Sequence, residues 1–325
     1  PLYVKLHPSY ADSPNGQAAQ ELTSACVHCG FCLATCPTYL DNRDERDSQR
    51  GRIYLIKQLL ETGQASAQTR THLDRCLSCR SCETTCPSGM QYGRLLDIGR
   101  ELAEQQAPRH WHSRAFRWLL RSVISRPPLF KLALGSGQLL RPLLPAALRR
   151  KIPPRKKQLP VPTAQQARTM LLLAGCVQDA ATPTTNTAVR RVLHRLGISA
   201  VSAPGAACCG AVNYHLGAHG DGLDDMRRNI DAWWPSIENS AEAIISSATG
   251  CGSMLADYGQ LLADDPAYAD RAQRVSQLSK DIAQVLAEED LQSLNINTAV
   301  GKVAVQVPCS QHHALQLPDL VPQIL

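Results

Sequence analysis

Eight of the thirteen cysteines fall into two short runs: Cys26, Cys29, Cys32 and Cys36 before Pro37, then Cys76, Cys79, Cys82 and Cys86 before Pro87. Each reads C-x2-C-x2-C-x3-C-P, the spacing that holds cubane [4Fe-4S] clusters in thiolate cages. Three cysteines at two-residue gaps wrap a tight loop around three corners of one cubane. The fourth, led away by the following proline, reaches the other cluster. The spacing therefore predicts one set of ligands from Cys26, Cys29, Cys32 and Cys86, and a second from Cys76, Cys79, Cys82 and Cys36. Such crossed wiring ties both runs into one folding unit and keeps the two clusters within reach of one-electron hopping. Gly30, Ser78 and Ser81 leave room for backbone N–H groups near the sulfurs, which tune the potential. Thr35 and Thr85, each preceding the last cysteine of its run, extend the repeat.

Other uses of cysteine fit less well. Structural zinc sites show separated C-x2-C pairs rather than three successive two-residue steps closed by Cys-Pro. Disulfide frameworks suit small secreted domains, whereas this chain has 325 residues and opens without a signal-peptide pattern. Thiols kept for metal imply a reducing compartment. No run of 18 apolar residues is present, so no spanning helix is expected. A length of 325 residues and a hydrophobic content of 44 % predict two domains with substantial cores.

Three segments follow from the patterning. Residues 1–108 read as a small helical domain organised by its clusters, with helical periodicity from Arg52 to Leu60, closed by Gly63, and again from Leu95 to Glu104. Residues 109–168 read as a basic amphipathic arm and linker. Residues 105–178 carry 14 Lys and Arg but no Asp or Glu, although the whole chain has 34 basic and 28 acidic residues. Trp111, Phe116, Trp118 and Leu119 alternate there with Arg114, Arg117 and Arg121, and Lys151 to Pro162 reads as an exposed linker. That composition suits an anionic lipid surface or an acidic partner; a helical arm packed on its own protein is the plainer alternative. No nucleic-acid recognition motif accompanies the charge, so nucleic acid is not an expected partner.

Residues 169–325 read as α/β, with strands expected at Met170–Ala174, Ile198–Val201, from Ala243, and at Lys302–Val307. Cys176, Cys251 and Cys309 follow expected strands, and Cys208-Cys209-Gly210 lies in a turn after another. Sites in open α/β sheets form at the carboxyl ends of strands, where helix N-termini favour thiolate. Cys176, Cys208, Cys209 and Cys251 are thus a second candidate redox or metal site.

Cys176-x31-Cys208-Cys209-Gly210 with Cys251 resembles the cysteine-rich CCG domain of heterodisulfide-reductase-like proteins. The strings CVHCGFCLATCPTY, RGRIYLIKQ, HLDRCLSCRSCETTCPSG, LLDIGRE, CCGAVNYHL and NIDAWWPSIE resemble the iron–sulfur subunits of bacterial glycolate oxidases. The resemblance implies a multidomain fold, α+β overall: a helical ferredoxin-like domain with two [4Fe-4S] clusters, then an α/β CCG domain able to hold a further iron–sulfur cluster. It implies an electron-transfer role in a complex whose flavin subunits, carrying FAD, oxidise glycolate to glyoxylate, with a quinone or similar acceptor. It also implies a place in the cytoplasm, peripheral on the inner membrane. No G-x-G-x-x-G follows a strand here, and no residue of this chain is expected to be catalytic. The corresponding subunit of another 2-hydroxyacid or glycerol-3-phosphate dehydrogenase, and a heterodisulfide-reductase-like catalytic subunit, are the alternatives. Cys309 with His312 and His313 resembles the start of a second CCG repeat, whose paired cysteines would lie beyond Leu325.

Overall fold

A computed structural model describes residues 1–155, 159–294 and 301–325. The chain divides into two compact units. One comprises Pro1–Phe116 with the short pieces His215–His219 and His312–Gln316; the other comprises Arg117–Tyr214, Gly220–Gln311 and Leu317–Leu325.

The first unit is helical, built mainly from α1 (Pro14–Ser24), α2 (Gln49–Thr62), α3 (Ala67–Asp74) and α4 (Tyr92–Gln106). Ser48 caps α2 by accepting a hydrogen bond from the Gly51 N–H at 3.0 Å, and Gly63 ends it in the left-handed conformation at φ 69°. Both are ordinary helix punctuation. Between them Ile53, Ile56, Leu59 and Leu60 form one fully buried stripe at helical spacing. It packs on Leu95, Leu96, Ile98 and Leu102 of α4. The two helices touch closely at Gly99, where a Cβ would come within 2.6 Å of Ile56 Cδ1. The same core includes Cys26 and Cys82, with Cys32, Cys76 and Cys86 packed against it. The cysteine loops are therefore anchored on the hydrophobic core.

The arm contains α5 (Trp111–Ile124) and α6 (Pro127–Leu140), neither with a buried residue. Arg114, Arg117 and Arg121 share one face of α5 by their three- and four-residue spacing. Arg121 Nη1 lies 3.0 Å from Asp221 Oδ2 within the second unit. Trp111, Phe116, Trp118 and Leu119 are exposed, Trp111 at 80 %.

The rest of the second unit surrounds a parallel four-stranded sheet in the order β2-β1-β3-β4: β1 (Arg168–Leu173), β2 (Ile198–Val201), β3 (Ile244–Ser246) and β4 (Ser279–Asp281). Leu171 of β1 pairs in register with Val201 and with Ile244. Successive β1 side chains serve opposite faces: Met170 and Leu172 join Val189, Leu193 and Val285, while Leu171 and Leu173 join Trp233, Met254 and Tyr258. A strand covered on both faces reads as an unbroken apolar run, which is why MLLL was legible. The covering helices include α7 (Pro183–Arg195), α8 (His219–Glu238), α9 (Thr249–Leu261) and α10 (Ala269–Leu278).

Three expectations are corrected. Lys302–Val307 is not a strand, although its residues alternate; it pairs with nothing in the sheet and is mostly exposed. The fourth strand is Ser279–Asp281, whose polar sequence carries no strand signal; its register with β3 defines it. The strand expected to run from Ala243 as far as Cys251 stops at Ser246, and Cys251 lies in the first turn of α9, where a helix was expected to begin. Within the expected linker Lys151–Pro162, residues 156–158 lie outside the described residues.

Candidate functional site

Each cysteine run curls because two of its residues take left-handed backbone conformations: His28 and Gly30 in the first, Ser78 and Arg80 in the second, with φ between 52° and 85°. Only Gly30 adopts this without a Cβ penalty, so three residues accept strain to form the loops. Pro37 begins the helix Pro37–Asn42 directly after Cys36, turning the chain out of the loop as Pro at a first helical position does.

These turns bring the cysteines together in two groups. Cys26, Cys29, Cys32 and Cys86 line one cavity with His28, Gly30, Gln49, Arg50 and Ser88. Cys36, Cys76, Cys79 and Cys82 line another with Thr38, Gln49, Arg52 and Tyr92. The second is the more enclosed: Cys36 and Cys82 are buried, whereas Cys29 in the first is exposed.

Burial pushes the Cys82 thiol far up and Cys32 up to about 11. Burial also works against Cys86, yet the Ser88 hydroxyl and the N–H groups of Met90, Ser88 and Gly89 outweigh it and hold that thiol low. A thiol ligates only as its thiolate, so cluster binding would replace these protons. Further polar atoms await a partner. His28 Nε2 in the first wall, Tyr92 OH in the second and Gln49 Oε1 in both are buried without a hydrogen bond. Groups left unpaired in a folded protein need an explanation. A sulfur-rich group of several acceptors in each cavity supplies one for donors such as Tyr92, so the residues fit a [4Fe-4S] cubane in each cavity.

A buried network stiffens the second wall. Arg52, 1 % exposed, donates from Nε to the His72 carbonyl at 2.7 Å and from both Nη atoms to Thr38 Oγ1 at 3.2 Å. Thr38 Oγ1 donates to the Asp47 carbonyl at 2.7 Å and lies 3.3 Å from Cys36 Sγ. Asp47 is fully buried; the desolvation that would raise its carboxyl is outweighed by hydrogen bonds from His72 and Arg75, which hold it low. The expectation had included neither Arg52 nor Asp47 as part of the site. Arg52 carried a signal as a charged residue within the helical repeat, uninterpretable without the fold, whereas Asp47, in the turn before the Ser48 cap, carried none.

In the second unit Cys176 follows β1 through Gly175 (φ 74°), and Cys208-Cys209 precedes Gly210 (φ 89°). A Cβ at Gly210 would come within 2.7 Å of the Gly222 carbonyl oxygen. Cys176, Cys208, Cys209 and Cys251 form a connected set of thiols. Contact with Cys176 and then Cys209 draws the Cys208 thiol well down, while its contact with Cys208 and its burial push Cys176 up. Asn229 holds this loop from below, its Oδ1 accepting from the Ala207 N–H at 2.8 Å and its Nδ2 donating to the Cys208 carbonyl at 2.7 Å. Tyr258 OH donates to the Cys209 carbonyl at 2.9 Å. Cys309 is exposed and stands outside this set.

Comparison with known proteins matches two stretches of the chain to domain models. Residues 22–90 match the 4Fe-4S dicluster domain model, and residues 170–256 match the Cysteine-rich domain model designated CCG. The chain is 50 % identical over 308 residues to the glycolate oxidase iron-sulfur subunit of Escherichia coli K12, covering 94 % of this chain and 75 % of that protein. The chain belongs to the glycolate oxidase iron–sulfur subunit family. The probable glycolate oxidase iron-sulfur subunit of Bacillus subtilis 168 is 32 % identical over 301 residues, 83 % of this chain and 67 % of its own length. Lactate utilization protein A of Bacillus licheniformis is 29 % identical over 158 residues, 47 % of this chain and 63 % of that protein. No solved structure matches the chain. Membership in the glycolate oxidase iron–sulfur family agrees with a helical 4Fe-4S unit followed by a cysteine-rich unit with a parallel sheet. Among the described residues no helix is long and apolar enough to cross a membrane.

Proposed function

We propose that this chain is the electron-transfer subunit of a glycolate-oxidising complex, carrying electrons from flavin subunits toward a quinone or similar acceptor. The observation that carries the reading is the sorting of eight cysteines into two four-thiol cavities sharing one wall residue, Gln49. Cys26, Cys29, Cys32 and Cys86 would hold one cluster, and Cys36, Cys76, Cys79 and Cys82 the other. A [4Fe-4S] cubane supplies a reversible one-electron carrier at each position. The chain itself fixes separation and donates N–H groups toward Cys32 and Cys86. Oxidation of substrate belongs to partner flavin subunits in this reading.

Cys176, Cys208, Cys209 and Cys251 form a further redox station in this reading, able to hold iron–sulfur because four thiols meet where one is already drawn toward thiolate. The arm supports peripheral attachment to anionic lipid: aromatic residues face outward from α5 amid a stretch without acidic residues, the pattern of an interfacial helix.

The test is iron and sulfide analysis of the purified complex, followed by addition of substrate. About eight irons and eight sulfides in the first unit, with bleaching of cluster absorbance by glycolate, support the reading. Bleaching by lactate or glycerol 3-phosphate but not glycolate would transfer the chain to another dehydrogenase. Zinc in place of iron would remove electron transfer altogether.

A further inference from the structure

The two cavities have separate walls except at one place. Among the described residues, Gln49 alone lines both. It is the first residue of α2, immediately after the Ser48 cap, and its neighbours divide between the sites. Arg50 lines the first cavity and gives its backbone N–H to Cys32, while Arg52 lines the second. Gln49 is 2 % exposed. Its Nε2 has one weak partner, the Met90 sulfur at 3.4 Å, and its Oε1 has none. A buried carboxamide normally satisfies both ends. Here it spends an expensive polar group on a position where leucine or methionine would fill the same space.

We propose that Gln49 is a positioning residue shared by both clusters, its carboxamide N–H groups donating to cluster sulfur and setting the two reduction potentials together. This rests on the reading that both cavities hold [4Fe-4S] clusters. The amide has two N–H donors and only one is occupied, weakly. Hydrogen bonds to anionic sulfur are stronger than those to a thioether. They favour the reduced cluster, which carries the larger negative charge, so they raise the potential. The Oε1 atom cannot serve this purpose; which end of a carboxamide carries the N–H groups is assigned from its hydrogen-bond partners, and a sulfur acceptor selects the donor end. A donor common to both walls also links them: reduction of either cluster pulls on the same amide, so one electron affects the affinity of the other site for the next.

The measurement is potentiometric titration of the cluster-loaded complex, followed by paramagnetic resonance, for the parent protein, Gln49→Met and Gln49→Glu. Both variants keep the length of the side chain. The expected result is that Q49M lowers both midpoint potentials and that Q49E lowers both further. Unchanged potentials in variants with full iron content would overturn the proposal, and a shift of only one potential would overturn the shared role. Loss of iron from both variants would make Gln49 a folding determinant and likewise overturn it. Parent protein with fewer than about eight irons and eight sulfides would instead sink the cluster reading itself, which keeps the two failures distinct.

Discussion

At Asn229 one side chain does for the second unit what a chain of backbone hydrogen bonds does elsewhere. It accepts from Ala207, donates to the Cys208 carbonyl and sits 3.2 Å from Tyr258 OH, with no exposure to water. Asn229→Ala takes the partner from the Ala207 N–H and from the buried Cys208 carbonyl, while Tyr258 OH keeps the Cys209 carbonyl, at about 1–3 kcal/mol for each uncompensated group. Urea unfolding should show a loss of at least about 2 kcal/mol, and the Cys208 thiol should react faster with a thiol reagent. Equal stability and equal thiol reactivity would show that the loop holds itself. Gly51 presents the opposite case, a position with no room. A Cβ there would stand 2.0 Å from the Glu45 carbonyl oxygen, so Gly51→Ala must displace backbone beside the first cysteine cavity. Overpacking costs about 1–3 kcal/mol, and the expected readout is a lower melting temperature with reduced iron content after purification.

Among the elements, α5 is oriented against the usual amphipathic rule. Arg121 is held in an ion pair with Asp221, while Trp111, Phe116, Trp118 and Leu119 stand exposed, where a helix of a globular domain would bury its apolar residues. The complex should therefore float with vesicles containing phosphatidylglycerol, and the triple variant W111S/F116S/W118S should stay in the supernatant. Raising salt should weaken binding by the parent, since the arm's positive charge acts over about a Debye length of 8–10 Å. Flotation of the triple variant equal to that of the parent would exclude α5 as the contact, and a parent that never floats would redirect this face to a protein partner. A smaller effect belongs to α8, tied by Arg227 to Asp265 at 2.8 Å. The Arg227 guanidinium holds the Asp265 carboxyl below its ordinary value. A carboxyl whose folded pKa is depressed stabilises the fold above its unfolded pKa of about 3.9 and loses that contribution as pH falls through the folded value. Asp265→Asn should flatten stability against pH below about 4 and leave the slope at neutral pH unchanged; parallel curves for the two proteins would remove the assignment.

For the whole molecule, each unit has its own buried core, and cysteines take part in both. In the first, five of the predicted ligands belong to or pack against that core, so cluster binding and folding are linked there. Removing iron with a chelator under oxidising conditions should lower the first thermal transition and leave a later one from the parallel-sheet unit. A single transition shifted as a whole would show that the two units unfold together.

The helical first unit was legible because Arg52 to Leu60 repeats apolar residues at helical spacing between a serine cap and Gly63. The Met170 and Ile244 strands were legible because a strand covered on both faces demands continuous apolar residues, and the Ile198 strand because it follows a helix closed by Gly197. Ser279–Asp281 was not legible, since three polar residues become a strand only through pairing with β3. Lys302–Val307 misled for the complementary reason: alternation prepares a strand but cannot supply a neighbour. The site divides in the same way. The cysteine spacing alone determined that thiols would gather in two interleaved sets of four, because short loops leave few ways to aim three side chains at one point. Only the tertiary structure decided that Arg52, Asp47, Tyr92 and Gln49 surround those thiols. Their roles come from burial and from partners distant along the chain, and a sequence pattern carries neither.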